Sequence, residues 1–207
     1  PSEAARVRVS WLNRQVACRN GWGRRRARGL PYGRPGIVRV HAGDDTLLKG
    51  FEMNRYRRNL PQLESVTPFL ADGGLETTLI YEYGIELPHF AAFDLLKDAA
   101  GTELLRRYFT GYAERAAALG VGTVLEAPTW RANPDWAARL GYDAAALAAA
   151  NHRGVGLLLE VRDACERRGV PIVVSGNLGP RGDGYVADRR MTADAAEHYH
   201  AAQIETF

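Results

Sequence analysis

Three short stretches of this 207-residue chain carry the residue types and spacings that a binding face would need. The first, FLADGGLETTL (residues 69–79), ends an apolar run in Asp72, Gly73 and Gly74 and continues into Glu76. A carboxylate beside two glycines can hold an ammonium or hydroxyl group while a ligand approaches the backbone closely. An Asp that caps the following turn, with glycines supplying unusual backbone angles, gives the same pattern. The second, LEAPTWRANPDW (125–136), sets Glu126 inside an apolar run. An unpaired carboxylate is costly there, so Glu126 must either face a cavity or find a partner such as Arg131. Thr129 and Trp130 follow, offering a hydroxyl donor and a flat wall, although Trp130 could equally pack a helix end. The third, SGNLGPRGDGY (175–185), is a glycine-rich loop that contains Asn177. It has neither the Gly-Lys-Ser/Thr ending of a P-loop nor the spacing of a dinucleotide fingerprint.

Other tempting features carry less. Arg181-Gly182-Asp183 is a triplet that chance supplies often. His198 and His200 are two apart on a predicted helix, so their rings point to different faces and joint metal binding there is not expected. Cys18 and Cys165 lie far apart without CxxC spacing, which excludes a disulfide framework and a cysteine metal site built from this chain alone. Cys165 reads as a packed thiol, and a reducing, cytoplasmic setting follows from the cysteine usage. No apolar run reaches the roughly 20 residues of a membrane-spanning helix.

The elements that must position these residues alternate. Apolar runs at 68–72, 123–128 and 171–176 read as buried strands, each ending in one of the three stretches above. Between them, Leu104, Leu105, Tyr108, Phe109, Tyr112 and Ala116 recur at helical spacing, with Thr102 as the predicted N-cap and Gly120 as the stop. Asn133 with Pro134 opens a short helix ended by Gly141, and a longer helix runs from about Asp143 to Arg168. Thr192 caps a last helix. Repeated βα units imply parallel strands with right-handed crossovers, as in a doubly wound sheet or a (β/α)8 barrel. In both, the loops after the strands' carboxyl ends carry the site.

Charge divides the chain. Residues 1–52 hold 11 basic and 4 acidic side chains, whereas the remainder holds 16 and 20. The arm is dense in Gly, Pro and Arg and shows no period. It reads as a disordered tail or as translated sequence upstream of the native start, for which Met53 is the candidate. Arg24, Arg25, Arg26 and Arg28 with Trp22 would suit phosphates and a base if the arm instead met nucleic acid.

Together, FLADGGLETTL, APTWRAN and VSGNLGPRGDGY, in this order and each after a strand, resemble the homocysteine S-methyltransferase family over about residues 67–207. The resemblance implies an α/β fold of the (β/α)8 TIM barrel type, here truncated to about the first three βα units plus the helix before strand 4. It also implies zinc-dependent methyl transfer in methionine biosynthesis, in which a metal-held thiolate attacks an activated methyl group. By motif match, Asp72, Gly73 and Gly74 hold the amino-acid end of the thiol, Thr129 and Trp130 line the same pocket, and Asn177 stands on the third loop. Glu76 departs from the family's usual glycine and bears on which thiol is accepted.

The family's zinc cysteines belong to later strands, so zinc is expected for the full-length protein and its ligands beyond Phe207. No metal ligand and no catalytic group is expected in this chain, which should be inactive and poorly folded alone because its strand edges are open. The expected partners are a small-molecule thiol acceptor and a methyl donor, with neither membrane nor nucleic acid. Two other readings compete: a non-catalytic nucleic-acid-binding fragment acting through the arm, and a barrel enzyme of other chemistry with Glu126 as base.

Overall fold

The computed structural model describes residues 55–167, 169–186 and 190–207. The basic arm and Met53 lie outside these residues. The described part begins with a single helical turn, α1 (Pro61–Glu64), and then enters β1 (Phe69–Ala71). Strand β2 (Gly122–Glu126) pairs with β1, and β3 (Ile172–Ser175) pairs with β2, both in parallel. The sheet order is therefore β1-β2-β3. Among the described residues β1 and β3 each have one hydrogen-bonded neighbour, and β2 has two.

All three strands were legible as apolar runs. The crossovers are helical: α2 (Leu75–Tyr81) and α3 (Ala99–Leu119) join β1 to β2, and α4 (Pro134–Arg139) and α5 (Ala144–Cys165) join β2 to β3. A last helix, α6 (Ala193–Ile204), follows β3. The core lies between the sheet and the long helices. Phe109 and Leu105 of α3, Leu158 and Val161 of α5, and Leu125 and Ile172 of the strands are buried together with Leu79 and Phe93. These contacts remove apolar surface from water, which is the main favourable contribution to the fold.

Several helix ends are where the sequence puts them. Gly120 ends α3 in the left-handed region at φ 66°. Asn133, Asp143 and Thr192 each accept a bond from a backbone N–H in the first turn of α4, α5 and α6. Three boundaries differ. Helix α3 starts at Ala99, because Asp98 rather than Thr102 is its cap, with Asp98 Oδ1 accepting from Gly101 N at 2.7 Å. Thr102 is already in the first turn, and its hydroxyl donates to the Asp98 carbonyl. Gly101 makes this early start possible, since a Cβ there would sit 2.2 Å from the Leu95 carbonyl oxygen. Helix α5 stops at Cys165, three residues before the expected Arg168. Finally, the expected loop 72–78 is helical from Leu75 onward.

Candidate functional site

The carboxyl ends of the three strands bring Asp72, Glu76, Glu126 and Asn177 to one edge of the sheet. Asp72 does not cap α2, whose N-terminus has no side-chain cap. Its backbone N–H continues the ladder by donating to the Val124 carbonyl at 3.3 Å. Its side chain adds a further rung, with Oδ1 accepting from Glu126 N at 2.8 Å. Asp72 therefore joins the ends of β1 and β2 through its own carboxylate.

The two glycines turn out to have different reasons. Gly74 has φ 65°, in the left-handed region, and a Cβ on it would lie 2.8 Å from Thr77 Oγ1, whose hydroxyl donates back to the Gly74 carbonyl. That glycine is required by the turn into α2. Gly73 is exposed, lies outside the left-handed region, and would have nothing within 4 Å of an added Cβ. No neighbour in the described chain needs a glycine there. Its carbonyl is held by the Tyr108 hydroxyl at 3.1 Å, so the backbone at Gly73 is fixed while the space beside it stays open. Burial keeps that phenol firmly protonated, with its pKa raised, so it remains a donor.

Glu126 is exposed at the end of β2 and makes no ion pair with Arg131. The strand's alternation turns the carboxylate toward the open face, where Asn177 Nδ2 donates to its Oε2 at 3.2 Å. Three carboxyl groups thus share one edge. Burial pushes the Asp72 carboxyl up to about 7, the nearby charges of Glu126 and Glu76 add to the rise, and the Glu126 N–H opposes it. Burial also raises Glu76, with Glu126 adding to the effect and Arg131 drawing it back. Near neutral pH this edge holds more protons than free carboxylates would, and a cationic group placed among them would displace those protons.

Beside the acids the structure is tightly tied. Thr129 is fully buried; its hydroxyl donates to the Asn177 carbonyl at 2.9 Å and accepts from the Asn177 N–H at 3.3 Å. Thr129 therefore fixes the loop after β3 to the loop after β2, and its hydroxyl is already engaged. Trp130 is half-buried under the glycine-rich loop, where a Cβ on Gly179 would meet its carbonyl oxygen at 2.0 Å. The guanidinium of Arg131 is held between the Trp130 and Trp136 rings, 4.1 and 3.8 Å from their centroids. It donates to the Gly182 carbonyl at 3.1 Å. Stacking of a cation on two indole faces offsets part of the cost of burying it. Asn133, beyond its cap role, donates to the Pro180 carbonyl at 3.3 Å and accepts from the Tyr199 hydroxyl at 2.9 Å.

Sequence reasoning named Arg131 only as a possible partner for Glu126, and Tyr108 only as part of a helix's apolar face. Trp130-Arg131 followed by Trp136 was the available signal for the stack, whereas the reach of Tyr108 across to Gly73 leaves none. Among the described residues no group of three or more His, Cys, Asp or Glu side chains could hold a metal ion. Cys165, half-buried at the end of α5 with its thiol pKa raised by burial, is packed against the core. The described residues therefore do not form a site for the zinc that the family resemblance implies.

A small parallel sheet with helical crossovers defines an α/β protein, with three carboxyl groups along the carboxyl edge of the sheet. The homocysteine S-methyltransferase family profile matches residues 69–207, and the chain belongs to that family. Two solved structures of the homocysteine methyltransferase MmuM from Escherichia coli are similar. The oxidized form is 26% identical with a TM-score of 0.58, covering 74% of this chain and 52% of the other. The metallated form is 24% identical with a TM-score of 0.55, covering 70% and 51%, and speaks for the fold alone. The chain thus spans about half the length of these solved relatives. No curated protein matches it.

Proposed function

We propose that this chain supplies the acceptor-binding part of a methyltransferase that methylates the thiol of homocysteine or a close analogue. In the reaction the thiol gives up its proton to solvent, and the acceptor sulfur then forms a bond to the methyl carbon while the donor's leaving group departs with the electron pair of the bond that breaks. The chain's part is to hold the acceptor's amino-acid end. Family membership supports the reaction class, and the undefended space at Gly73 beside three carboxyl groups carries the assignment of this edge to the acceptor. An α-ammonium group seated there would meet Asp72 and Glu126, with Glu76 nearby. Its arrival would drive the Asp72 proton off, strengthening the contact.

On this reading the whole protein is a cytoplasmic (β/α)8 barrel that uses zinc. This chain provides the first three βα units and the helix leading to a fourth strand, with residues 1–52 as an appendage. Thr129, Trp130 and Asn177 shape the wall, and the chain alone does not turn over. Glu76 adds negative charge close to the ammonium position and narrows the acceptors to those with a free amino group.

Amide NMR of the 207-residue chain tests folding and binding in one measurement. L-homocysteine should shift the Gly73, Glu126 and Asn177 resonances, and 4-mercaptobutanoate, which lacks the amino group, should bind at least ~10-fold more weakly, as befits loss of a charge-assisted bond. Equal binding of the two would overturn the assignment of the acidic edge. Methyl transfer by the isolated chain would overturn its proposed inactivity.

A further inference from the structure

Tyr108 reaches the acidic edge from α3. It is 5% exposed, with its ring edge-on to Phe109 at 5.1 Å and tilted against Tyr112 at 5.2 Å between centroids. Those contacts need only a ring, and Phe would supply them. The hydroxyl donates across 35 residues of sequence to the Gly73 carbonyl at 3.1 Å. Burial raises the phenol's pKa and the nearby Asp72 and Glu76 charges add to the rise, so the group stays a donor.

Gly73 sits between two points that are held by other means. On one side Asp72 is tied to β2 through its backbone N–H and its carboxylate. On the other, the Gly74 carbonyl accepts from the Thr78 N–H and from the Thr77 hydroxyl, both at 2.8 Å. Between these ties, the bond from Tyr108 is the one hydrogen bond that Gly73 makes among the described residues. A peptide between two glycines flips at little steric cost, since neither residue has a Cβ to oppose it. Because the peptide is planar, a flip would take the Gly73 carbonyl off α3 and turn its oxygen toward the open side of the loop.

We infer that Tyr108 is a positioning residue for the acceptor: by holding the Gly73 carbonyl on α3 it keeps the peptide between Gly73 and Gly74 in one orientation and the space beside Gly73 clear for the acceptor's amino-acid end. The inference rests on the assignment of the acidic edge to the acceptor. Tyr108 acts through the backbone and touches no reacting atom. A site already in its bound shape loses less entropy when its ligand arrives, so the anchor should appear in affinity more than in folding. Thr123 supplies the comparison for a purely structural tie. It is fully buried, and its hydroxyl donates to the Leu70 carbonyl of β1 at 2.8 Å. That bond holds a strand which the ladder to β2 already fixes, whereas the bond from Tyr108 holds a glycine with no second tie among the described residues.

L-homocysteine, titrated into the 207-residue chain and two variants and followed by NMR, tests this. Tyr108→Phe keeps the ring and should weaken binding about 10-fold, as loss of one organising hydrogen bond predicts. Without ligand, its Gly73 and Gly74 amide signals should broaden while Asn177 stays sharp. Thr123→Val removes a hydroxyl-to-carbonyl bond on the same strand and should bind within about 2-fold of the parent, because it leaves Gly73 held. Should Tyr108→Phe not fold, the Gly73 carbonyl carbon of the parent decides: it should keep its hydrogen-bonded shift when homocysteine saturates the chain, and a move to the unbonded value would overturn the inference. Equal affinity of Tyr108→Phe and the parent would overturn it too, leaving the acceptor assignment standing. So would an equal loss in both variants, which would reduce Tyr108 to a general tie on β1. A parent chain that does not respond to homocysteine would instead overturn the acceptor assignment, and this inference with it.

Discussion

At the carboxyl edge of the sheet, the end of β1 and the joined ends of β2 and β3 are built in opposite ways. After β1, Gly73 has open space beside it, and Asp72 lies near two other carboxylates with no ion-pair partner among the described residues. After β2 and β3, Thr129, Asn133 and Arg131 bind the two loops together, and Gly179 lets them touch. A segment whose loops are tied by many internal hydrogen bonds is a frame; one that leaves charge and space unanswered is a seat for something else. Under the proposed function the contrast separates residues that position from residues that would touch the acceptor.

Changes to the frame should cost the most. Gly179→Ala forces a Cβ against the Trp130 carbonyl oxygen, and a denaturant titration should show a loss of roughly 3 kcal/mol. An effect under about 1 kcal/mol would mean that the loop is not held against Trp130. Thr129→Val keeps the side chain's shape but strips both Asn177 backbone bonds, for a loss of about 2 kcal/mol in the same measurement.

Asp72→Asn tests the seat through pH. The Asp72 carboxyl rises from 3.8 in the unfolded chain to about 7 in the fold, so the folded state binds the proton more tightly. Its contribution to stability is complete below pH 3.8 and is lost as pH rises through 7. The parent chain should therefore lose stability relative to Asp72→Asn between pH 5 and pH 8, as read by melting temperature at the two values. Parallel melting at both would show that Asp72 is ionised throughout. The smallest effect on folding belongs to Gly73→Ala, expected within about 0.5 kcal/mol of the parent because nothing crowds the site, whereas Gly74→Ala should lose about 1 kcal/mol through its left-handed backbone. If Gly73→Ala folds normally yet no longer responds to homocysteine in NMR, the open space is a ligand's; if it still responds fully, the seat lies elsewhere.

Much of the fold could be read in advance because its signals are local. A continuous apolar run and a following Asn-Pro or Asp cap depend on residues a few positions apart, and β1, β2, β3 and the starts of α4, α5 and α6 fall where those signals lie. The start of α3 went to Asp98 because capping is settled by which side chain reaches the Gly101 N–H, and both Asp98 and Thr102 are capping types. At the site, the grouping of Asp72, Glu126 and Asn177 follows from strand ends lying side by side. Their partners do not. That Glu126 meets the Asn177 amide and not Arg131, or that Arg131 lies between two indoles, depends on loop paths no spacing rule describes. The double glycine shows the same limit, since sequence presents Gly73 and Gly74 as equals and only the surroundings of each separate them.

The bond from the Glu126 N–H to Asp72 Oδ1 makes one amide a reporter. The carboxyl group that receives it is the one proposed to meet the incoming ammonium group. Removing the proton from Asp72 turns a neutral acceptor into an anionic one and shortens the lifetime of the open, exchange-competent state at that amide. Deuterium uptake at Glu126, followed peptide by peptide near pH 7, should slow when the acceptor is bound, whereas the Thr123 amide, held by the Pro171 carbonyl at the far end of the strand, should exchange as before.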